Sequence, residues 1–307
     1  MKTIVGFFSI LISLSLFSSQ LEPHFLINGE RDQEIIAKEK SNFSFYFKNE
    51  SRGMNHKMFM KMHAKPMHTI VIKDDYSHIA HIHPYLDMKT GIFSLDINTN
   101  HIPDFDNQSV RNTIPDAGRY FVFTEVMPMG LGNEAPMIKS RYEVTATGQF
   151  KEPVQYDYQD GSQGITLYFD QGANQSQSGA KYKVIFSYEQ FDFCDKWLPK
   201  FYFEWFEKNE EGTYSRAENF EKWLEMGGHS ILIDTEQTIL SEKIFYHLHA
   251  FLPMSTMGEF VFPYHDHKRE LPAGNYKIFG QFKRENKVFT VPVPFKYTLP
   301  VIQNKCK

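Results

Sequence analysis

Phe59-Met-Lys-Met-His-Ala-Lys-Pro-Met-His68 and Phe220-Glu-Lys-Trp-Leu-Glu-Met-Gly-Gly-His229 align without a gap, and Phe, Lys and the closing His coincide. An apolar run follows each, Thr69 to Ile72 and Ser230 to Ile233, then a polar stretch, then His81-Ile-His83 or His247-Leu-His249. Further on, Ala117-Gly-Arg-Tyr-Phe-Val-Phe-Thr-Glu125 matches Ala273-Gly-Asn-Tyr-Lys-Ile-Phe-Gly-Gln281. Each half then closes on one more strand-like run, Ser140 to Thr145 and Lys287 to Pro292. Self-similarity of this kind predicts two copies of one module, residues 22–148 and 163–299, joined by the polar linker 149–162.

The modules read as all-β. Phe43-Ser-Phe-Tyr-Phe47 alternates apolar and small or polar residues, and similar short runs recur with turn signals roughly every ten residues. That pattern predicts two tandem antiparallel β-sandwiches. A polar loop, Gly172 to Gly179, separates strands expected at Ile165 to Asp170 and Tyr182 to Tyr188. The best helical stretch is Ala217 to Met226, a short connector before His229.

Residues i and i+2 of a strand share a face, so His81 and His83 present two imidazoles side by side. His68 falls on the preceding strand, across Asp74-Asp-Tyr-Ser77. A four-residue turn there places His68 opposite His83; a two-residue turn places it opposite His81. Either register gathers three rings on one face, where their nitrogens can meet a metal at about 2.0–2.1 Å. A lone His-x-His is weak, and structural histidines are the simplest reading of it. The same pattern at His229, His247 and His249 makes metal binding the better one. Met54, Met58, Met60, Met62 and Met67 crowd the approach to His68, with His56 and His63 among them, Met127, Met129 and Met137 follow Glu125, and Met226, Met254 and Met257 are their second-half counterparts. Thioether sulfur suits Cu(I) and imidazole suits Cu(II) and Zn(II), so copper is the expected metal and zinc the alternative. Glu125 and Gln281 occupy matching places; a surface carboxylate is the plain reading of Glu125, and a fourth metal ligand or a group orienting an imidazole are the functional ones. His265-Asp-His267 lacks a first-half partner and reads as a solvated loop.

The chain has 307 residues, 41% hydrophobic and 23% charged, enough for two cores. A net charge of −4 without a long basic run argues against nucleic acid. Lys2 followed by the apolar Ile4 to Phe17 reads as a signal peptide over residues 1–20, too short for the ~20 apolar residues of a spanning helix. No later segment is long enough to span a bilayer. Export permits a disulfide between Cys194 and Cys306, which are not a C-x-x-C pair.

Met67-His-Thr-Ile-Val-Ile-Lys-Asp-Asp-Tyr-Ser-His-Ile-Ala-His-Ile-His-Pro84 resembles the motif of a group of bacterial exported proteins with tandem Ig-like or cupredoxin-like modules. Gly228-His229, His247-Leu-His249 and Gly280-Gln-Phe282 fit that group's second module, with Ala250 where a Pro would follow the second His-x-His and a longer Thr235 to Lys243 hairpin. The resemblance implies export to the periplasm or beyond, the two-module architecture and metal binding.

Three functions fit these residues. One is an exported copper-binding protein for tolerance or delivery, with an accessible site on a sandwich edge, exchanging metal with another exported metal-handling protein. The second is a zinc-dependent hydrolase or hydratase, for which no general base or substrate pocket is identifiable. The third is a binding or adhesion module with structural histidines. N-terminal sequencing of the native protein is expected to begin near residue 21, and recovery of the intact chain from the cytosol would refute export.

Overall fold

The computed structural model describes residues 21–299 apart from 32–33, 51, 103, 132–136, 171–174, 177–179, 194–195, 237–244, 252–256 and 265–269. Residues 1–20, expected to be a signal peptide, and Cys194, Cys306, Met254, His265 and His267 therefore lie outside the described residues, as does most of the Gly172 to Gly179 loop.

Alternation writes the fold strand by strand. In Ser41–Asn49, Phe43, Phe45 and Phe47 are fully buried, while the residues between them are only half-buried. That strand joins Leu21–Ile27 and Ile92–Ile97 in an outer sheet. The outer sheet packs on a six-stranded sheet ordered Ile35–Ile36, Ile138–Thr147, Gly118–Pro128, Met67–Lys73, Ile79–Ile82, with Phe59–Met60 also paired to Gly118–Pro128. A second six-stranded sheet runs Gln159–Asp160, Lys287–Tyr297, Gly274–Arg284, Gly228–Asp234, Phe245–Ala250, with Phe220–Glu221 paired to Gly274–Arg284. The last sheet is built on Tyr182–Phe193 and Lys196–Lys208. The fold is an all-β sandwich arrangement, as the alternation predicts. Nearly every pairing is antiparallel; the short Ile35–Ile36 and Gln159–Asp160 strands instead pair in parallel at sheet edges. Two tyrosine hydroxyls reach back four residues, Tyr120 to Asp116 O and Tyr276 to Pro272 O, both at 2.9 Å. This bond pins the start of a strand to the chain that leads into it.

Three apolar cores hold the layers together. One lies between the outer and inner sheets of the first half, and one between those of the second. The third lies between the two inner sheets, where Ile70, Ile72, Ile79 and Phe121 meet Ile231, Ile233, Phe245 and Phe279. Phe123 and Phe245 stack across it with centroids 5.5 Å apart and planes 4° from parallel. Met67–Lys73 and Gly228–Asp234 are consequently buried at every position, one face toward each of two cores. Each fully buried Ile or Phe contributes roughly 1.5–3 kcal/mol, so the inner interface is strongly held. Polar contacts reinforce it: the Lys277 ammonium donates to Tyr76 O at 2.7 Å and sits 3.8 Å from the Tyr156 ring centroid, and Gln108 Nε2 donates to Asn286 O at 2.8 Å.

Two local expectations are corrected. Ala217 to Met226 is not helical: Phe220 and Glu221 pair with Arg284 and Lys283, and Trp223 to Met226 closes a tight turn. Burying the Phe220 ring against Trp205 and Phe260 outweighs a weak helical preference. Conversely, a 3-10 helix at Phe105–Asn112, which periodicity does not reveal, is started by Asp104, whose side chain accepts from Asp106 N.

Ile72→Ala, in the core between the inner sheets, is expected to cost about 2–5 kcal/mol of unfolding free energy. Ile36→Ala, at an exposed position, is expected to stay within about 0.5 kcal/mol. Urea midpoints of the two variants measure the contrast.

Candidate metal centre

The strand register decides where the imidazoles go. Ile70 pairs with His81 and Thr69 with Ile82, and Lys73 N donates to His78 O at 3.1 Å. The turn is therefore the four-residue form, and His68 falls opposite His83. In the second half His229 pairs directly with His249. His68, Ile70 and Ile72 alternate onto the face between the inner sheets, and so do His229, Ile231 and Ile233. All six predicted histidines thus face the same layer.

They are not on an exposed edge. His68, His81, His83 and His229 are each at most 2% exposed, and the His247 side chain is 5% exposed. The expectation of an open edge site is corrected by the face-to-face packing of the inner sheets. The two sets also meet. The His81 centroid is 5.1 Å from that of His247 and 5.7 Å from that of His229, while His68 and His247 are 5.3 Å apart. Two groups of three ring nitrogens, His68/His81/His83 and His81/His229/His247, each lie within 4.8 Å of one another and can hold a metal ion. His81 belongs to both.

The outer nitrogens fix the tautomers. Nε2–H of His68 donates to Met62 O at 2.8 Å, and Nδ1–H of His83 donates to Asp106 O at 3.2 Å. Nδ1–H of His81 donates to Gln281 Oε1 at 3.0 Å, an amide orientation supported by Gln281 Nε2 donating to Thr290 Oγ1. Backbone carbonyls only accept, so the inner nitrogens carry lone pairs. His68 Nδ1 lies 3.1 Å from His81 Nε2, and His83 Nε2 lies 3.2 Å from the same atom. Three lone pairs converge with no proton among them. Tetrahedral coordination at 2.0–2.1 Å sets nitrogens about 3.3–3.4 Å apart, close to this spacing. In the second set, Nε2–H of His229 donates to Trp223 O at 3.2 Å and Nδ1–H of His247 to Glu125 Oε2 at 3.2 Å. His229 Nδ1 and His247 Nε2 then face each other at 3.1 Å.

Glu125 and Gln281 are therefore not surface residues. They are 6% and 1% exposed, and each orients a histidine of the opposite half. Glu125 is also paired to Lys139 at 2.6 Å. Their matching strand positions were the available signal; the crossing between halves had none. Sequence reading also missed His63, whose ring lies 4.0 Å from that of His249 and 6.0 Å from that of His229. Trp223 is a second omission, 5.3 Å from His81 and 4.9 Å from His229. Several of the methionines lie away from the histidines. Met67 alternates into the first-half core, and Met54, Met58, Met60, Met129, Met137 and Met257 are exposed.

Burial disfavours an imidazolium. It pushes His81 down to about 3 and holds His68, His83, His229 and His247 below the usual range; mutual repulsion among the rings adds to this for His81, His83, His229 and His247.

No protein-family profile and no curated protein matches the chain. Among solved structures, the chain is similar to S. aureus TarS at 9% identity with a TM-score of 0.20, over 88% of this chain and 40% of that one. A likeness at that score carries no argument about fold or function.

The lowered values set a sign for the pH response. The unfolded chain takes up protons on these rings near 6.5 and the folded chain does not, so metal-free protein loses stability as pH falls from about 7 toward the folded values. Each ring contributes a slope of up to about 1.4 kcal/mol per pH unit below 6.5. Circular dichroism of urea or thermal unfolding is expected to show metal-free protein losing stability as pH falls below about 6.5, and a metal-free fold whose stability does not fall with acid would contradict the neutral, buried assignment.

Proposed function

We propose that the chain is an exported transition-metal-binding protein built from two copies of one module, residues 22–148 and 163–299, which together enclose a single histidine centre. The carrying observation is the meeting of inward lone pairs on His68, His81 and His83, whose outer nitrogens are already committed to acceptors. One cation can accept all three lone pairs. His229 and His247 repeat the arrangement, and His249 stands beside them with ring centroids at 4.8 and 4.6 Å.

Copper is the favoured metal, on different grounds from methionine content. An all-imidazole set follows the general divalent order, in which Cu(II) binds more tightly than Zn(II). Burial favours holding an ion over turning over a substrate, so storage, tolerance or delivery to another exported metal-handling protein fits better than hydrolysis. His81 belongs to both nitrogen sets, so the sets do not fill independently, and one ion per chain is expected.

Protein purified without a histidine tag is expected to carry about one copper or zinc per chain by elemental analysis. Titration of metal-free protein with Cu(II) and Zn(II) is expected to raise the thermal midpoint, with Cu(II) the tighter. His81→Ala with His83→Ala is expected to remove tight binding. Because these rings are buried, the double variant is also expected to lose stability, by a few kcal/mol. His68→Gln, which keeps a polar side chain of similar reach, provides the milder comparison. Wild-type protein that binds neither ion more tightly than the double variant would return the histidines to a structural role.

A further inference from the structure

His63 lies outside both three-nitrogen sets, yet its ring sits against the centre from the first half of the chain. It occupies the turn Met62 to Lys65, whose central residues His63 and Ala64 have φ of 48° and 68°. The corresponding turn, Trp223 to Met226, has Leu224 and Glu225 at 51° and 65°. The two turns share one backbone shape, so what differs between them is the side chain delivered to the histidines. The second-half turn delivers Trp223, 2% exposed and in contact with both His81 and His229, together with the buried Leu224. The first-half turn delivers an imidazole, half-buried, 4.0 Å from the ring of His249, which is itself only partly buried. The centre is thus sealed by apolar groups on one side and lined by histidine on the side nearer to solvent.

We propose that His63 is the admission ligand of the centre: it takes a transition-metal ion from solution and passes it through His249 to the buried nitrogens. The inference rests on the metal-binding reading above. A hydrated ion loses one water as a neutral His63 nitrogen donates its lone pair. The nitrogens of His249, His247 and His229 displace further waters, and the His63 bond then breaks as the ion moves inward. The oxidation state does not change and the only leaving groups are water and, last, His63. An ion carried down a ladder of imidazoles sheds its hydration stepwise, which lowers the barrier to entering a buried layer. Because His63 acts on the path and not at its end, it changes rates in both directions and leaves affinity alone.

The test is stopped-flow mixing of the metal-free full chain with Cu(II), read by quenching of tryptophan fluorescence, since of the three indoles Trp223 touches His81 and His229, with Trp223→Phe as the control that removes the signal. His63→Leu is the first variant; Leu224 shows that leucine is accepted in this turn. His63→Asn is the second, because asparagine tolerates positive φ and carries no imidazole. Both are expected to slow Cu(II) uptake at least tenfold and to slow release to excess chelator by the same factor, with stoichiometry and Kd unchanged. Unaltered rates would overturn the proposal. So would fast uptake by the Asn variant alone, which would reduce the Leu effect to steric plugging. Weaker Kd with faster release would overturn it in favour of His63 as a resident ligand. Wild-type protein that takes up no Cu(II) would instead defeat the metal-binding reading itself, and the outcomes are therefore separable.

Discussion

The two inner sheets bury both of their faces, and that constraint governs every polar group between them. Met67–Lys73 and Gly228–Asp234 have no solvent-facing side. A polar atom in such a layer costs on the order of 1–3 kcal/mol unless it finds a partner there. Thr69 and Ser230 lie on these same strands with buried hydroxyls, which a sheet tolerates at isolated positions. A cluster of imidazoles is a different matter, because each ring has two nitrogens and the layer must satisfy both. Met62, Asp106 and Trp223 supply carbonyls to the outer nitrogens, leaving the inner ones with only each other. The burial that suits the isoleucines and phenylalanines of this layer thus gathers imidazole nitrogens that can hold a metal ion.

The centre exists only when the two halves are docked. His81 leans on Gln281 and His247 on Glu125, so each half completes the other's imidazole. Trp223 and His63 make the same crossing in opposite directions. An ion held by nitrogens from both halves stabilises the docked arrangement by mass action, in addition to the apolar core beside it. That core, Ile70, Ile72 and Phe121 against Ile231, Ile233 and Phe279, gives the rings a fixed frame. Pre-set ligand positions make coordination less costly in conformational entropy than gathering flexible side chains around an ion.

Period-two alternation was enough to read the strands, because a one-residue slip would turn the aromatic faces outward. Phe43, Phe45 and Phe47 illustrate it. The six histidines were legible for a similar reason: two His-x-His pairs at the same offset from a third His are hard to produce except on paired strands. Burial was not legible. Thr69 to Ile72 and Ser230 to Ile233 are continuous apolar runs, the mark of strands covered on both sides. That mark can be read from the sequence, but the identity of what covers the second face cannot. With the covering sheet unknown, Glu125 looked like a surface carboxylate and His63 like one residue in a methionine-rich approach. The Phe105–Asn112 turn of helix escaped because its starting signal is a single Asp104 side chain, not a repeating pattern.

The differences between corresponding positions matter more than the likeness. Gln281 behind His81 is neutral, whereas Glu125 behind His247 carries a charge. A carboxylate behind an imidazole raises its basicity and strengthens it as a ligand. Here that effect is tempered by Lys139, whose ammonium pairs with the other carboxylate oxygen while remaining largely in water. The charged partner therefore stands behind His247, whose neighbour His249 carries the His63 ring, and the neutral partner stands behind His81, against which Trp223 lies. Placing the carboxylate near solvent lets a counter-charge reach it without burying a second ion pair, an arrangement that the sealed side could not support at comparable cost. The polarity of the centre is thus written in three substitutions against a common backbone: Glu125 for Gln281, His63 for Leu224, and Met62 for Trp223.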